Sequence, residues 1–177
     1  QLVFSFLDTL ILQAMAMVSS KPLALLLLVA LSAATPMPAV GEGSCNGHKV
    51  TVQNLCGHDL NLGIEARSNS KELFPNGWLL PSGKHESFDV CAWTGSVSAQ
   101  GAAVAKFHMD HEGGAYYEVS TDQASMSVRV SVTPHGSPLQ GHCPTAGCDT
   151  GNHCFEHSVP GGNCHGVTEI KIVYYNP

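Results

Sequence analysis

Residues 143–164 read CPTAGCDTGNHCFEHSVPGGNC, four cysteines and two histidines within 22 positions. Side chains of these types can hold zinc, run thiol redox chemistry, or staple a loop through disulfides. A zinc site would draw on Cys143, Cys148, His153 and Cys154, whose short spacings suit a closed tetrahedral arrangement poorly. Which chemistry applies depends on the compartment, because thiols stay reduced in the cytosol and oxidise outside it.

The N-terminal sequence speaks to that compartment. From Met17 the chain runs MVSSKPLALLLLVALSAATPMPAVGEG, with one lysine, an apolar stretch from Pro22 to Ala30, then small residues and prolines. This is the three-part pattern of a secretory signal peptide. Its core of about a dozen apolar residues is short for a bilayer span. Ser32 and Ala34 offer a small-x-small cleavage site, and Ala39 a second one. The preceding QLVFSFLDTLILQAMA is apolar but carries Asp8 and no positive charge, and reads as sequence upstream of the true start at Met17. A single membrane anchor made from both runs is interrupted by Ser19, Ser20 and Lys21. The expected organisation is an upstream segment 1–16, a signal peptide 17–34, an extension 35–47 and one domain 48–177. The expected location is extracellular, which favours disulfides over zinc and over a free redox pair.

After cleavage about 140 residues would remain, enough for one domain with its own core. Losing Lys21 and Asp8 leaves 7 of the 8 basic and 13 of the 14 acidic residues, a mildly acidic balance. The basic residues do not cluster, which argues against nucleic acid as a partner. No Asn-x-Ser/Thr acceptor occurs, and all ten histidines fall after the apolar N-terminal region, uncharged near neutrality but poised to titrate.

The remainder alternates with period two. Val50 and Val52, Phe88 and Val90, Ala103 to Met109, Val128 to Val132, and Ile170 to Tyr174 each interleave with polar residues or with a second face. Turn clusters at 75–77, 81–83, 113–114 and 134–136 separate them. Short strands with such punctuation predict an all-β sandwich. From Pro134 to Gly166 no strand or helix is expected, so disulfides would have to hold that loop.

Other residues invite chemistry. His108, Asp110 and His111 in FHMDHEGG have types that suit zinc or copper. On a strand, however, His108 and Asp110 share one face and His111 takes the other, which favours solvent-facing polar residues and no bound cofactor. Trp78, Trp93, Tyr116 and Tyr117 could stack on sugar rings; the two tryptophans read as core, and the adjacent tyrosines must point to opposite sides of a strand.

In order along the chain come VTVQNLCGHDLNLGI, GWLLPSGKHESFDVCAWTGSV, AKFHMDHEGGAYYEVSTDQASMSVRVSVTP, the cysteine loop and IKIVYYNP. Together, over about 130 residues, these resemble the thaumatin-like family, in a short form that lacks the family's large disulfide-rich domain. The resemblance implies a flattened thaumatin-like β-sandwich with a disulfide-stapled loop. It implies a Cys154–Cys164 bridge, and leaves Cys143 and Cys148 to bond each other, Cys45, Cys56 or Cys91. The family's bridge from the first strand to a cysteine beside the C-terminal proline is absent, because Asn176 stands there; Cys91 then becomes the candidate partner for Cys56. Seven cysteines cannot all pair internally, so one is free or joins two chains.

Larger members of the family carry an acidic cleft, reported in some to bind or cleave β-1,3-glucan. Its arginine falls here near Gln100, its glutamate on Lys106, its first aspartate on Glu118 and its second near Asp122, with Asp110 close in sequence. The last acidic residue belonged to the missing domain. A lysine in place of a carboxylate removes half of the pair a glycosidase needs. The expectation is a secreted, non-catalytic binder of cell-wall polysaccharide or of a secreted protein, in defence or host interaction. A weak glucan hydrolase and a histidine-rich metal-binding protein are the alternatives.

Overall fold

The computed structural model describes residues 47–110, 113–149, 151, 153–156 and 158–177. The expected upstream segment and signal peptide, nearly all of the extension, and His111 lie outside the described residues.

The chain is all-β, as the alternation predicts. Its strands are β1 (Lys49–Asn54), β2 (Leu60–Arg67), β3 (Trp78–Leu80), β4 (His85–Asp89), β5 (Trp93–Ala99) and β6 (Ala105–Met109), then β7 (Ala115–Glu118), β8 (Arg129–His135), β9 (Gln140–Gly141), β10 (Ala146–Gly147), β11 (Ser158–His165) and β12 (Glu169–Tyr175). They form a five-stranded sheet in the order β10-β8-β12-β1-β4 and a seven-stranded sheet in the order β3-β2-β5-β6-β7-β11-β9. In the first sheet β1 and β12 run parallel, with Lys49 opposite Glu169 and Asn54 opposite Tyr174. The second sheet is antiparallel throughout its β2-β5-β6-β7 centre.

One core lies between the sheets. Val50, Val52, Val130, Val132, Ile170 and Ile172 meet Leu62, Trp93, Val97, Phe107, Met109 and Tyr117 in a single buried cluster. Burying an aliphatic or aromatic side chain of this size is worth ~1.5–3 kcal/mol, so the alternating faces decide the fold. Trp93 stacks on Phe107 with ring centroids 4.6 Å apart. Trp78 packs with Phe74 and Phe88 at the edge of the same core.

The region 134–166 departs from expectation. It contains β9, β10 and the eight-residue β11. Strand β11 pairs with β7 at Ser158 and Val159, loses register, and resumes at Cys164. Pro160, Gly161, Gly162 and Asn163 have low strand propensity, so the local sequence gives no signal for a strand that its neighbour β7 imposes. Strand β8 likewise runs on through Pro134, which sits opposite Ile170. β10 pairs with β8 at Ser131 and Val132. By Pro134 that side of the strand is an edge, where a missing N–H costs no ladder bond.

The disulfides also differ from expectation. Cys143 bonds Cys164, and Cys148 bonds Cys154; the expected Cys154–Cys164 bridge does not form. Register explains the exchange. β9 sets Gly141 opposite Cys164, which brings Cys143, two residues on, beside that cysteine. Cys154 instead faces Cys148 across an antiparallel bridge. Cys91 is disulfide-bonded, but Cys56 is a free buried thiol, so the expected Cys56–Cys91 pair is absent too.

Candidate functional site

The outward face of the seven-stranded sheet carries the polar side chains. Alternation along each strand sends Trp93, Val97, Phe107, Met109 and Tyr117 inward, and it sends their neighbours outward. The register then lines the outward groups into rows across the strands. One row runs Glu65, Ser96, Lys106, Glu118 and Ser158 across β2, β5, β6, β7 and β11. The next row runs Arg67, Thr94, His108 and Tyr116.

These rows enclose a depression of about 270 Å³ lined by Arg67, Thr94, Gly95, Ser96, Lys106, Phe107, His108, Tyr116 and Glu118. Lys106 Nζ donates to Glu118 Oε1 at 2.9 Å, and the Tyr116 hydroxyl donates to Glu118 Oε2 at 2.6 Å. The Tyr116 hydroxyl is pushed above its ordinary pKa, chiefly by that hydrogen bond, then by partial burial and the charge of Glu118. Thr94 Oγ1 and His108 Nδ1 share a hydrogen bond of 2.6 Å. Arg67 Nε donates to Glu65 Oε1 at 3.1 Å.

A second depression of about 530 Å³ continues from the first, sharing Lys106 and Glu118, and is lined by Ala102, Val104, Val119 and Met126 with Ser120. A hydrogen-bonding trough thus passes into an apolar one. That combination suits a ligand with both hydroxyl groups and C–H faces.

Of the residues singled out from sequence, Lys106, Glu118 and His108 meet in this face. Asp110 does not join them. Its Oδ1 accepts from Gly114 N at 2.9 Å and its backbone closes the β6–β7 hairpin, so it serves the turn. Asp122 is exposed in the loop after β7 and lies outside the lining of both depressions. Gln100 lines a separate depression with His58 and Asp59. Among the described residues no group of three His, Cys, Asp or Glu is placed to hold a metal ion. Tyr116 faces the trough while Tyr117 is buried, and its hydroxyl donates to the Pro144 carbonyl.

Arg67, Thr94 and Ser96 carry no local sequence signal that marks them as site residues. They join the site only through the β2–β5–β6 register, which no local pattern announces.

No protein-family profile matches the chain, and no curated protein matches it significantly. The chain is similar to the crystal structure of the protein elicitor MoHrip2 from Magnaporthe oryzae, at 16% identity and a TM-score of 0.42, over 71% of this chain and 97% of that one.

Proposed function

We propose that this chain is a short, secreted thaumatin-like protein that binds β-glucan of cell walls on the outward face of its seven-stranded sheet and does not cleave it. The observation that carries the reading is the Lys106–Glu118 contact at 2.9 Å. Glycoside hydrolysis needs two carboxyl groups about 5–9.5 Å apart across the scissile bond. On this face the carboxylates that share a row are Glu65 and Glu118, with Ser96 and Lys106 between them. Three inter-strand steps of about 4.8 Å separate their backbones by roughly 14 Å. Glu118 is further occupied by the Tyr116 hydroxyl. What remains is a trough of donors and acceptors beside an apolar floor, a surface that can hold a sugar chain without reacting with it.

Two further features support the family and the compartment. Extending the parallel register of β1 and β12 by two residues sets Cys56 opposite Asn176, and Asn176 Nδ2 lies 3.7 Å from where a Cβ on Gly57 would stand. The family's strand-to-terminus bridge would occupy that place. The two bridges in the loop 143–164 are of the kind kept in oxidising surroundings.

The test is cosedimentation of purified protein with insoluble β-1,3-glucan, chitin and cellulose, together with a reducing-end assay on soluble β-1,3-glucan. Retention on β-1,3-glucan, weakened in Lys106→Ala and without new reducing ends, is the expected result. Retention on none of the polysaccharides would move the site to a protein partner. Turnover abolished by Glu118→Gln would establish a hydrolase instead.

A further inference from the structure

The opposite side of the molecule holds a second polar cluster, on the outer face of the five-stranded sheet. Arg129 opens β8 and stands opposite Tyr175 of β12. Their inward-facing neighbours Val130 and Tyr174 belong to the core, so Arg129 and Tyr175 point away from it. Both are nevertheless buried, at 6% and 4% exposure.

Two segments contact this end of β8. In one, Gln123 is fully buried and fixed by Nε2 donating to the Ser120 and Val130 carbonyls and by Oε1 accepting from Val130 N. Its own carbonyl accepts from Arg129 Nη1. In the other, Cys148 N donates to the Val130 carbonyl, and the Cys148–Cys154 bridge closes the loop that follows. Gly147 admits this approach: a Cβ there would stand 2.2 Å from the Val130 carbonyl oxygen.

Here two buried donors have no partner among the described residues, Arg129 Nε and Tyr175 Oη. What sets Arg129 apart is its burial, since exposed cations such as Lys71 and Lys84 are solvated and need no carboxylate partner. Lys49, Arg67 and Lys106 lie 3.6, 3.0 and 2.9 Å from carboxylates. Among the described residues no carboxylate stands within ion-pair distance of Arg129. Asp149 borders the cluster, yet its Oδ1 is held by Gly151 N and His153 N, both at 2.9 Å, and its Oδ2 turns to His153. A buried guanidinium without a counter-charge is costly, and two unpaired donors on cross-strand neighbours are satisfied together by an acceptor bearing negative charge.

We propose that Arg129 and Tyr175 form a binding site for a small oxyanion, a carboxylate or phosphate group, at the end of β8 that Gln123 and the Cys148–Cys154 loop adjoin. The Arg129 Nε–H supplies charge and direction. The Tyr175 hydroxyl supplies a second, neutral donor. Burial holds that hydroxyl protonated by pushing its pKa to about 12, with Asp149 adding to the effect and Arg129 opposing it. The site lies on a different sheet from the glucan-binding face and stands independently of that reading.

The test follows the Arg129 Nε–Hε resonance of the ¹⁵N-labelled full chain while acetate, and separately inorganic phosphate, is titrated against chloride at constant ionic strength. A saturable shift with either ion is expected. Tyr175→Phe, which keeps the ring and so the packing, should weaken that binding by about tenfold, as loss of one hydrogen bond to a charged group does. Arg129→Lys, which lacks that reporter and is followed through the backbone amide resonances of β8 and β12, should show no saturable shift, because an ammonium cannot present the same fixed N–H direction. The absence of a saturable shift with both ions, or equal binding by Tyr175→Phe and the natural chain, would overturn the proposal and leave internal water as the partner of these donors.

Discussion

Lys106 and Glu118 stand directly opposite each other on β6 and β7, and their side chains close to 2.9 Å. Both remain partly exposed, at 53% and 32% for the side chains. Exposed pairs of this kind contribute ~0.2–1 kcal/mol. Lys106→Met should therefore shift the urea midpoint only slightly, while weakening retention on β-1,3-glucan. A stability loss of several kcal/mol would mean that the pair is a structural staple and not part of a binding surface.

Lys106→Glu should place a carboxylate at the centre of the row without producing hydrolysis. The new acid would sit beside Glu118 in adjacent strands, with Tyr116 still engaging Glu118. Reducing-end release from soluble β-1,3-glucan should stay at background. Measurable turnover by this variant would show that a single charge had been withholding catalysis.

Non-reducing peptide mapping should recover Cys143 joined to Cys164 and Cys148 joined to Cys154, with Cys56 unmodified. Alkylation of the native protein should be slow, since the Cys56 thiol is buried, and fast once the chain is denatured. Recovery of Cys154 joined to Cys164 would refute the register of β9 against β11.

Burial raises the pKa of the Cys56 thiol and of the Tyr117 and Tyr174 hydroxyls, and pushes Tyr175 up to about 12. In each case the folded chain holds its proton to higher pH than the unfolded chain. Their contribution is present in full below the unfolded values, near 8.5 for a thiol and about 10 for tyrosine. It drains away as pH rises through the folded ones. Stability should be insensitive to these groups at pH 7 and fall progressively above about pH 9. Cys56→Ala should flatten the first part of that fall in denaturation curves taken from about pH 7 to 11. An unchanged slope would exclude the thiol as its source.

Gly95 is wedged between β2 and the core. A Cβ there would stand 2.1 Å from the Glu65 carbonyl oxygen and 2.6 Å from the Trp93 ring. Gly95→Ala should cost about 1–3 kcal/mol through overpacking, read as a drop in thermal midpoint. A neutral result would require β2 and β5 to separate freely.

The sequence made some elements plain and hid others for definable reasons. In β1, β6, β8 and β12 the alternation of Val, Ile and Phe with polar residues announces both the strand and its buried face. β11 carries Pro160, Gly161 and Gly162, and its extended form comes from β7 and β9 on either side. Cysteine spacing cannot choose among pairings, because the choice depends on which strands face one another, and that is a long-range matter. The same limit applies to the trough. Lys106 and Glu118 could be singled out one by one, but Arg67 and Thr94 enter only once β2 and β5 are set in register.

The parallel pairing of β1 with β12 bears on how the chain comes to be folded. The strand that begins the domain finds β4 early, but its other partner is separated from it by nearly the whole domain. Contacts of such sequence separation close slowly, because a long loop must be brought together first. During synthesis, β1 would wait with one edge open until β12 has emerged, and the five-stranded sheet would be sealed as the final event. Removing Glu169–Tyr175 should therefore leave a chain that is made and partly ordered, yet unable to bury Val50 and Val52, and prone to associate through the edge it cannot cover.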